Sequence, residues 1–223
     1  MDMPGMDMPG REMPGMVMPT WDAGYALAMF LMWAIMMVGM MLPSVAPTVL
    51  IYARIARKAA KDGHYVAATG WFVIGYLLAW VGFSAVATAL QWQLDEAMLL
   101  SPMMVSNNAS FGASLLIAAG IYQFLPIKDA CLTHCRSPVH FISAHWRAGS
   151  SGAVRMGLHH GAYCLGCCWV LMGLLFLGGV MNLLWIAAIT GFVLLEKLLD
   201  LGRWTSRLSG VAMIAVGVWL LLG

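Results

Sequence analysis

The sequence predicts an all-α integral membrane helix bundle, polytopic, with about six spans. Three observations predict it. Apolar residue types make up 61% of the 223-residue chain and charged ones only 10%, a balance foreign to soluble globular domains. Several stretches of roughly 18 or more mostly apolar residues occur, each long enough to cross a ~30 Å hydrocarbon core as a helix. No alternation over ~10-residue pieces, as a β-barrel requires, is visible. Helices also satisfy their own backbone groups, which lipid demands.

Residues 1–21 precede the spans and form a Met/Pro/Gly-rich tail; residues 22–223 form the bundle. The first twenty residues read as four pentapeptides built on Met-Pro. Their Pro and Gly content excludes a helix or a core and predicts a flexible or extended arm. The arm has no basic n-region, so it is not a cleavable signal peptide. Spans are expected at 23–51, 67–90, 110–125, 156–177, 182–195 and 208–222.

Charge placement sets the expected topology. Arg54, Arg57, Lys58 and Lys61 follow the first span; Lys128, Arg136, Arg147 and Arg155 lie between the third and fourth; Lys197, Arg203 and Arg207 lie between the fifth and sixth. Only Arg11 falls elsewhere. The positive-inside rule puts these loops in the cytoplasm of a bacterial inner membrane. Both termini then face the periplasm, as does loop 91–109, which carries Asp95 and Glu96 and no basic residue. A net charge of +2 gives nucleic-acid binding no support.

The chemistry lies in sulfur. Of twenty methionines, thirteen precede position 42. Thioethers are soft ligands that select Cu(I). In the tail, Met3, Met8 and Met13, interspersed with Asp2, Asp7 and Glu12, suit an arm that gathers a soft cation; the alternative is a low-complexity linker. In the first span Met29, Met32, Met36 and Met40 fall within about 80° of one face, with Met37 and Met41 beside them. This is either a row that relays Cu(I), with Met36 and Met40 central, or a packing face. Pro43 and Pro47 are expected to kink or end that helix.

The fourth span carries His160, Cys164, Cys167 and Cys168 at i, i+4, i+7 and i+8, within ~100° of one face. Thiolates in lipid need a cation beside them, which points to a metal or to neutral thiols. Gly157, Gly161 and Gly166 allow a tight-packing reading as well. A rise of ~1.5 Å per residue puts Cys167 near mid-membrane, at a depth similar to Met36. In the loop before this span, Cys131, His134 and Cys135 share a face if helical, a spacing that suits Cu(I) or Zn(II). Disulfides are not expected on the reducing side of a membrane.

Several pieces of the chain resemble the bacterial family of predicted metal-binding integral membrane proteins, which carry a domain of unknown function. They are Met32-Trp33-Ala34-Ile35-Met36-Met37 with Met40-Met41-Leu42-Pro43; Ala119-Gly120-Ile121-Tyr122-Gln123 through Pro126, Lys128 and Cys131-Leu132-Thr133-His134-Cys135-Arg136; and Tyr163-Cys164-Leu165-Gly166-Cys167-Cys168-Trp169 through Gly179, Met181-Asn182 and Glu196-Lys197. The resemblance implies metal binding and a membrane location. It brings no reaction, and the tail lies outside the shared part.

Two functions follow. One is a copper(I)-binding membrane protein for acquisition, relay or delivery, in which the tail collects, the methionine row relays, the intramembrane thiols hold and the loop receives. The other is an accessory subunit or assembly factor of a larger, copper-dependent membrane enzyme, whose other subunits would then be its partners alongside lipid. An enzyme with its own copper chemistry fits less well, because reactive copper sites use several imidazoles and an open position. Glu196 and Asp200 suit proton movement or, more simply, pairing with Lys197 and Arg203.

Overall fold

The computed structural model describes residues 21–63, 65–100, 108–198 and 204–222. Among them every regular element is a helix, so the all-α expectation holds. The tail, with Met3, Met8 and Met13, lies outside the described residues, as do Asp200 and Arg203.

Helix α1 runs Ala23–Lys61. Asp22 caps its start by accepting from the Tyr25 amide at 2.7 Å. Pro43 and Pro47 lie inside it and do not end it. Each removes one backbone donor, a loss that packed neighbours make tolerable in an apolar helix. Helix α2 spans Thr69–Glu96 and returns beside α1: Trp33 donates to buried Gln91 at 2.7 Å, and the Tyr52 hydroxyl donates to the Ala67 carbonyl at 3.2 Å.

Helix α3, Ala109–Tyr122, is capped by the Asn108 side chain. At 14 residues it is about 21 Å long, short of a full crossing. The chain turns at Gln123 to Leu125, and Pro126 opens α4, Pro126–Arg136. A residue before proline avoids the helical region, so Leu125 breaks the run. The two helices meet at a bend of 67°. Pro138 in turn opens the short α5, Pro138–Ala144.

Helix α6, Gly149–Gly173, carries the thiols. A single turn, α7, Leu175–Gly178, follows it and ends at Gly179, whose φ of 92° favours glycine. Helices α8, Leu183–Leu198, and α9, Trp204–Leu222, complete the chain.

Four helical stretches are long and apolar enough to cross a membrane: Ala23–Lys61, Thr69–Glu96, Gly149–Gly178 and Trp204–Leu222. The bent α3–α4 pair makes a fifth if counted as one span. The six expected segments all fall on helices, but α3 bends before it is long enough, and α8 has only 16 residues.

Side-chain pairings show α1, α3 and α8 running one way and α2, α6 and α9 the other. The loops rich in Arg and Lys therefore share one end. Two lysines of the charge pattern belong to the interior instead, since Lys128 is 0% exposed and Lys197 8%.

Glycines set the closest approach, α2 against α6. A Cβ on Gly157 would strike the Phe72 carbonyl, and one on Gly75 the Val154 carbonyl. Backbone is met on the far side, so nothing can swing away. Gly157→Leu is expected to destabilise the bundle by at least ~1–3 kcal/mol, whereas Gly82→Ala, with nothing within 4 Å of its Cβ, should be neutral or slightly stabilising. Thermal unfolding of both variants in detergent checks this; equal melting temperatures would contradict the packing.

Candidate metal centre

His160, Cys164, Cys167 and Cys168 all lie on the inner face of α6 and are buried. Their i, i+4, i+7, i+8 spacing does put them on one stripe. That stripe meets α1, α2, α4 and α8 together.

Cys164 is the hub. Its Sγ lies 2.8 Å from Lys197 Nζ and 3.0 Å from the Tyr76 hydroxyl. Its carbonyl accepts from the thiols of Cys167 at 3.0 Å and Cys168 at 2.9 Å. Lys197 also reaches Ser44 Oγ at 3.1 Å. The Tyr76 hydroxyl donates to the Met41 carbonyl at 3.2 Å, which ties α1 and α2 to the same point. One turn away His160 Nε2 stands 3.5 Å from Thr48 Oγ1. Its Nδ1 is buried with no hydrogen-bond partner among the described residues, a nitrogen that burial normally requires to be satisfied.

The loop cysteines join this cluster. Residues of α4 are helical, as the shared-face reading requires, and α4 lies against α6. Cys135 Sγ is 4.0 Å from Cys167 Sγ. Cys131 Sγ sits over Gly166, 2.6 Å from where a Cβ would be, so the absent side chain at Gly166 makes room for the thiol. Spacing alone suggested a holding site in the membrane and a separate receiving site in the loop; the fold sets Cys135 of the second beside Cys167 of the first. His134 is the exception. Its ring stacks on Tyr163 with centroids 4.2 Å apart.

With metal–sulfur bonds of ~2.3 Å, sulfurs 4.0 Å apart subtend about 120° at an ion between them. Three-coordinate geometry is thus within reach of Cys135, Cys167 and one further donor. Among the described residues no three His, Cys, Asp or Glu side chains are already grouped as a metal site. Cys167 and Cys168 are turned onto the Cys164 carbonyl.

The methionine row lies on the opposite approach. Met32, Met36 and Met40 line a groove of about 990 Å³ between α1 and α8, and Met181 faces it from the far wall. Met37 and Met41 are fully buried and pack in the core. The depth match between Met36 and Cys167 needs correcting. Thr48 pairs with His160 and Trp33 with Phe176, which sets Met40, not Met36, level with the cysteines. The error came from aligning span ends that α1 and α6 both overrun.

The expected pairing of Glu196 with Lys197 is also corrected. Neighbours on a helix point ~100° apart. Glu196 turns to Lys128, with both carboxylate oxygens within 2.8 Å of Nζ, while Lys197 turns to Cys164. Gln123 also accepts from Lys128, Ser206 donates to Glu196 at 3.1 Å, and Arg136 donates to the Glu196 carbonyl at 2.8 Å. Sequence reasoning missed Tyr76, Ser44 and the inward roles of Lys128 and Lys197. A lysine at the end of a long apolar run was the available signal for Lys197; Lys128, in a polar stretch, and Tyr76 and Ser44 gave none.

No curated protein and no solved structure matches the chain. Residues 30–220 match the protein family described as copper chaperone, PpoB2. That match covers most of the chain, including the thiol cluster, the methionine groove and the buried lysines, and the protein therefore belongs to the PpoB2 copper chaperone family.

Proposed function

We propose that this protein is a multi-pass inner-membrane carrier of Cu(I) that binds the ion at the thiol cluster and hands it to a copper-dependent partner. The observation that carries the reading is the meeting of α4 with the buried cysteine stripe of α6, where half-buried Cys135 brings its Sγ to 4.0 Å from Cys167 Sγ, with His160 one turn away. Thiolate and thioether donors select Cu(I) among biological metals. Six membrane segments, with both termini periplasmic and the basic end cytoplasmic, fit the helix directions and charge placement.

In this reading Met3, Met8 and Met13 collect the ion outside. Met36 and Met40 pass it along the groove to Cys164, Cys167 and Cys168, and a low-coordinate shell is drawn from these thiols together with Cys131, Cys135 and His160. Thioethers bind more weakly than thiolates at neutral pH, so the order of donors runs toward tighter holding. Zn(II) at the Cys131–Cys135 pair is the competing cargo. Delivery to a larger membrane enzyme joins the carrier role to that of an accessory or assembly subunit, and no catalysis by the chain itself is involved.

The test is metal content by mass spectrometry after purification in detergent and Cu(I) loading under reducing conditions. Wild type should hold stoichiometric copper, and Cys164→Ser/Cys167→Ser/Cys168→Ser should lose it. Wild type without copper, or a triple variant that keeps it, would overturn the proposal.

A further inference from the structure

His134 belongs to a second group of side chains near the basic end of α6. Tyr163 carries the His134 ring on one side and lies 4.8 Å from His159. His159 and His145 meet edge to face with ring centroids 4.7 Å apart. His145 is half-buried and His159 exposed, and Arg147 and Arg155 flank them in sequence. This group contains no sulfur.

The His145 and His134 rings each have one nitrogen engaged by a backbone carbonyl. His145 Nδ1 lies 3.1 Å from the Phe141 carbonyl, and His134 Nδ1 lies 2.8 Å from the Ala130 carbonyl. A ring nitrogen facing a carbonyl has to carry the proton, which leaves Nε2 with its lone pair. Metal-binding histidines are commonly held by this contact. With metal–nitrogen bonds of ~2.0 Å, neighbouring imidazoles on one ion have ring centroids about 4.5–6 Å apart. The His145–His159 separation falls within that interval.

We propose that His145 and His159 form a second, surface copper site, distinct from the thiol cluster, at which the ion is presented to its acceptor. The cargo rests on the copper-carrier reading above; the site rests on its own geometry. Two imidazoles fill part of the shell and leave positions for donors from the acceptor. Transfer is a ligand exchange with no change in oxidation state. His134 is the positioning residue: it adjoins Cys135 in α4 and stacks against the Tyr163 ring that separates it from His159.

The full-length protein in detergent is titrated anaerobically with Cu(I) and read by X-ray absorption at the copper edge. The first equivalent should show sulfur donors. A second should bring nitrogen donors at about 2.0 Å. His145→Phe/His159→Phe keeps two packed rings and removes the ligating nitrogens; it should lose the second equivalent and keep the first. If that variant does not fold, His145→Gln alone should weaken the second site at least tenfold. Sulfur-only copper at both equivalents in wild type, or a second site unchanged in the variants, overturns the proposal. A first equivalent without sulfur would sink the carrier reading instead, while the histidine variants still decide the surface site.

Discussion

Glu196→Ala is expected to destabilise the protein by about 3–5 kcal/mol, because it strands the Lys128 ammonium in the interior. Lys128 and Glu196 side chains are 0% and 3% exposed and 2.7 Å apart. Water cannot compensate the charge left behind, and Gln123 supplies only a neutral acceptor. The carboxylate also accepts from Ser206 of α9, and the Glu196 carbonyl accepts from Arg136 of α4. One residue of α8 therefore fastens three helices. Replacing both partners with apolar groups removes the charge problem altogether. Lys128→Met/Glu196→Leu should recover most of the loss. Thermal unfolding in detergent distinguishes the two; a double variant no more stable than Glu196→Ala would show that the neighbouring hydrogen bonds, not the charge, hold the site.

Cys135→Ser should weaken Cu(I) binding by about a hundredfold or more, a loss at or beyond the upper end for removing a mere supporting group. Cys167→Ser should do the same. The combined variant is expected to be little worse than either single one, because both thiols serve one ion and groups acting as a unit are strongly non-additive. Competition with a chromophoric Cu(I) chelator gives the three affinities. Additive losses would mean that Cys135 and Cys167 belong to separate sites despite their 4.0 Å separation.

The helical class was legible because lipid-length apolar runs leave few alternatives. The stripe on α6 was legible too, since 3.6-residue periodicity operates within one helix. What spacing could not give was the meeting of α4 with α6. Cys131 and Cys135 are about thirty positions from Cys164, and their approach depends on Pro126 bending the chain and on Gly166 lacking a side chain. Pro43 and Pro47 do not end α1, which runs through both. The charge pattern concealed two different kinds of lysine. Arg54 and Lys58 are exposed at the end of α1, but Lys128 and Lys197 are buried partners, and only their surroundings separate them.

Glu196 and Lys197 are consecutive, yet they serve opposite sides of α8. This makes the phase of that helix intolerant of length change. Inserting or deleting one residue between Trp185 and Glu196 would turn its lower end by ~100°. An insertion would bring the Glu196 carboxylate toward the sulfur of Cys164 and leave Leu195 facing Lys128, whereas a deletion would bring the Lys197 amine against Lys128, like charge on like, and leave Leu198 facing Cys164. Chains that share this arrangement should accept substitutions along α8 far more readily than a single insertion or deletion. Length variation should instead collect in the loops at either end.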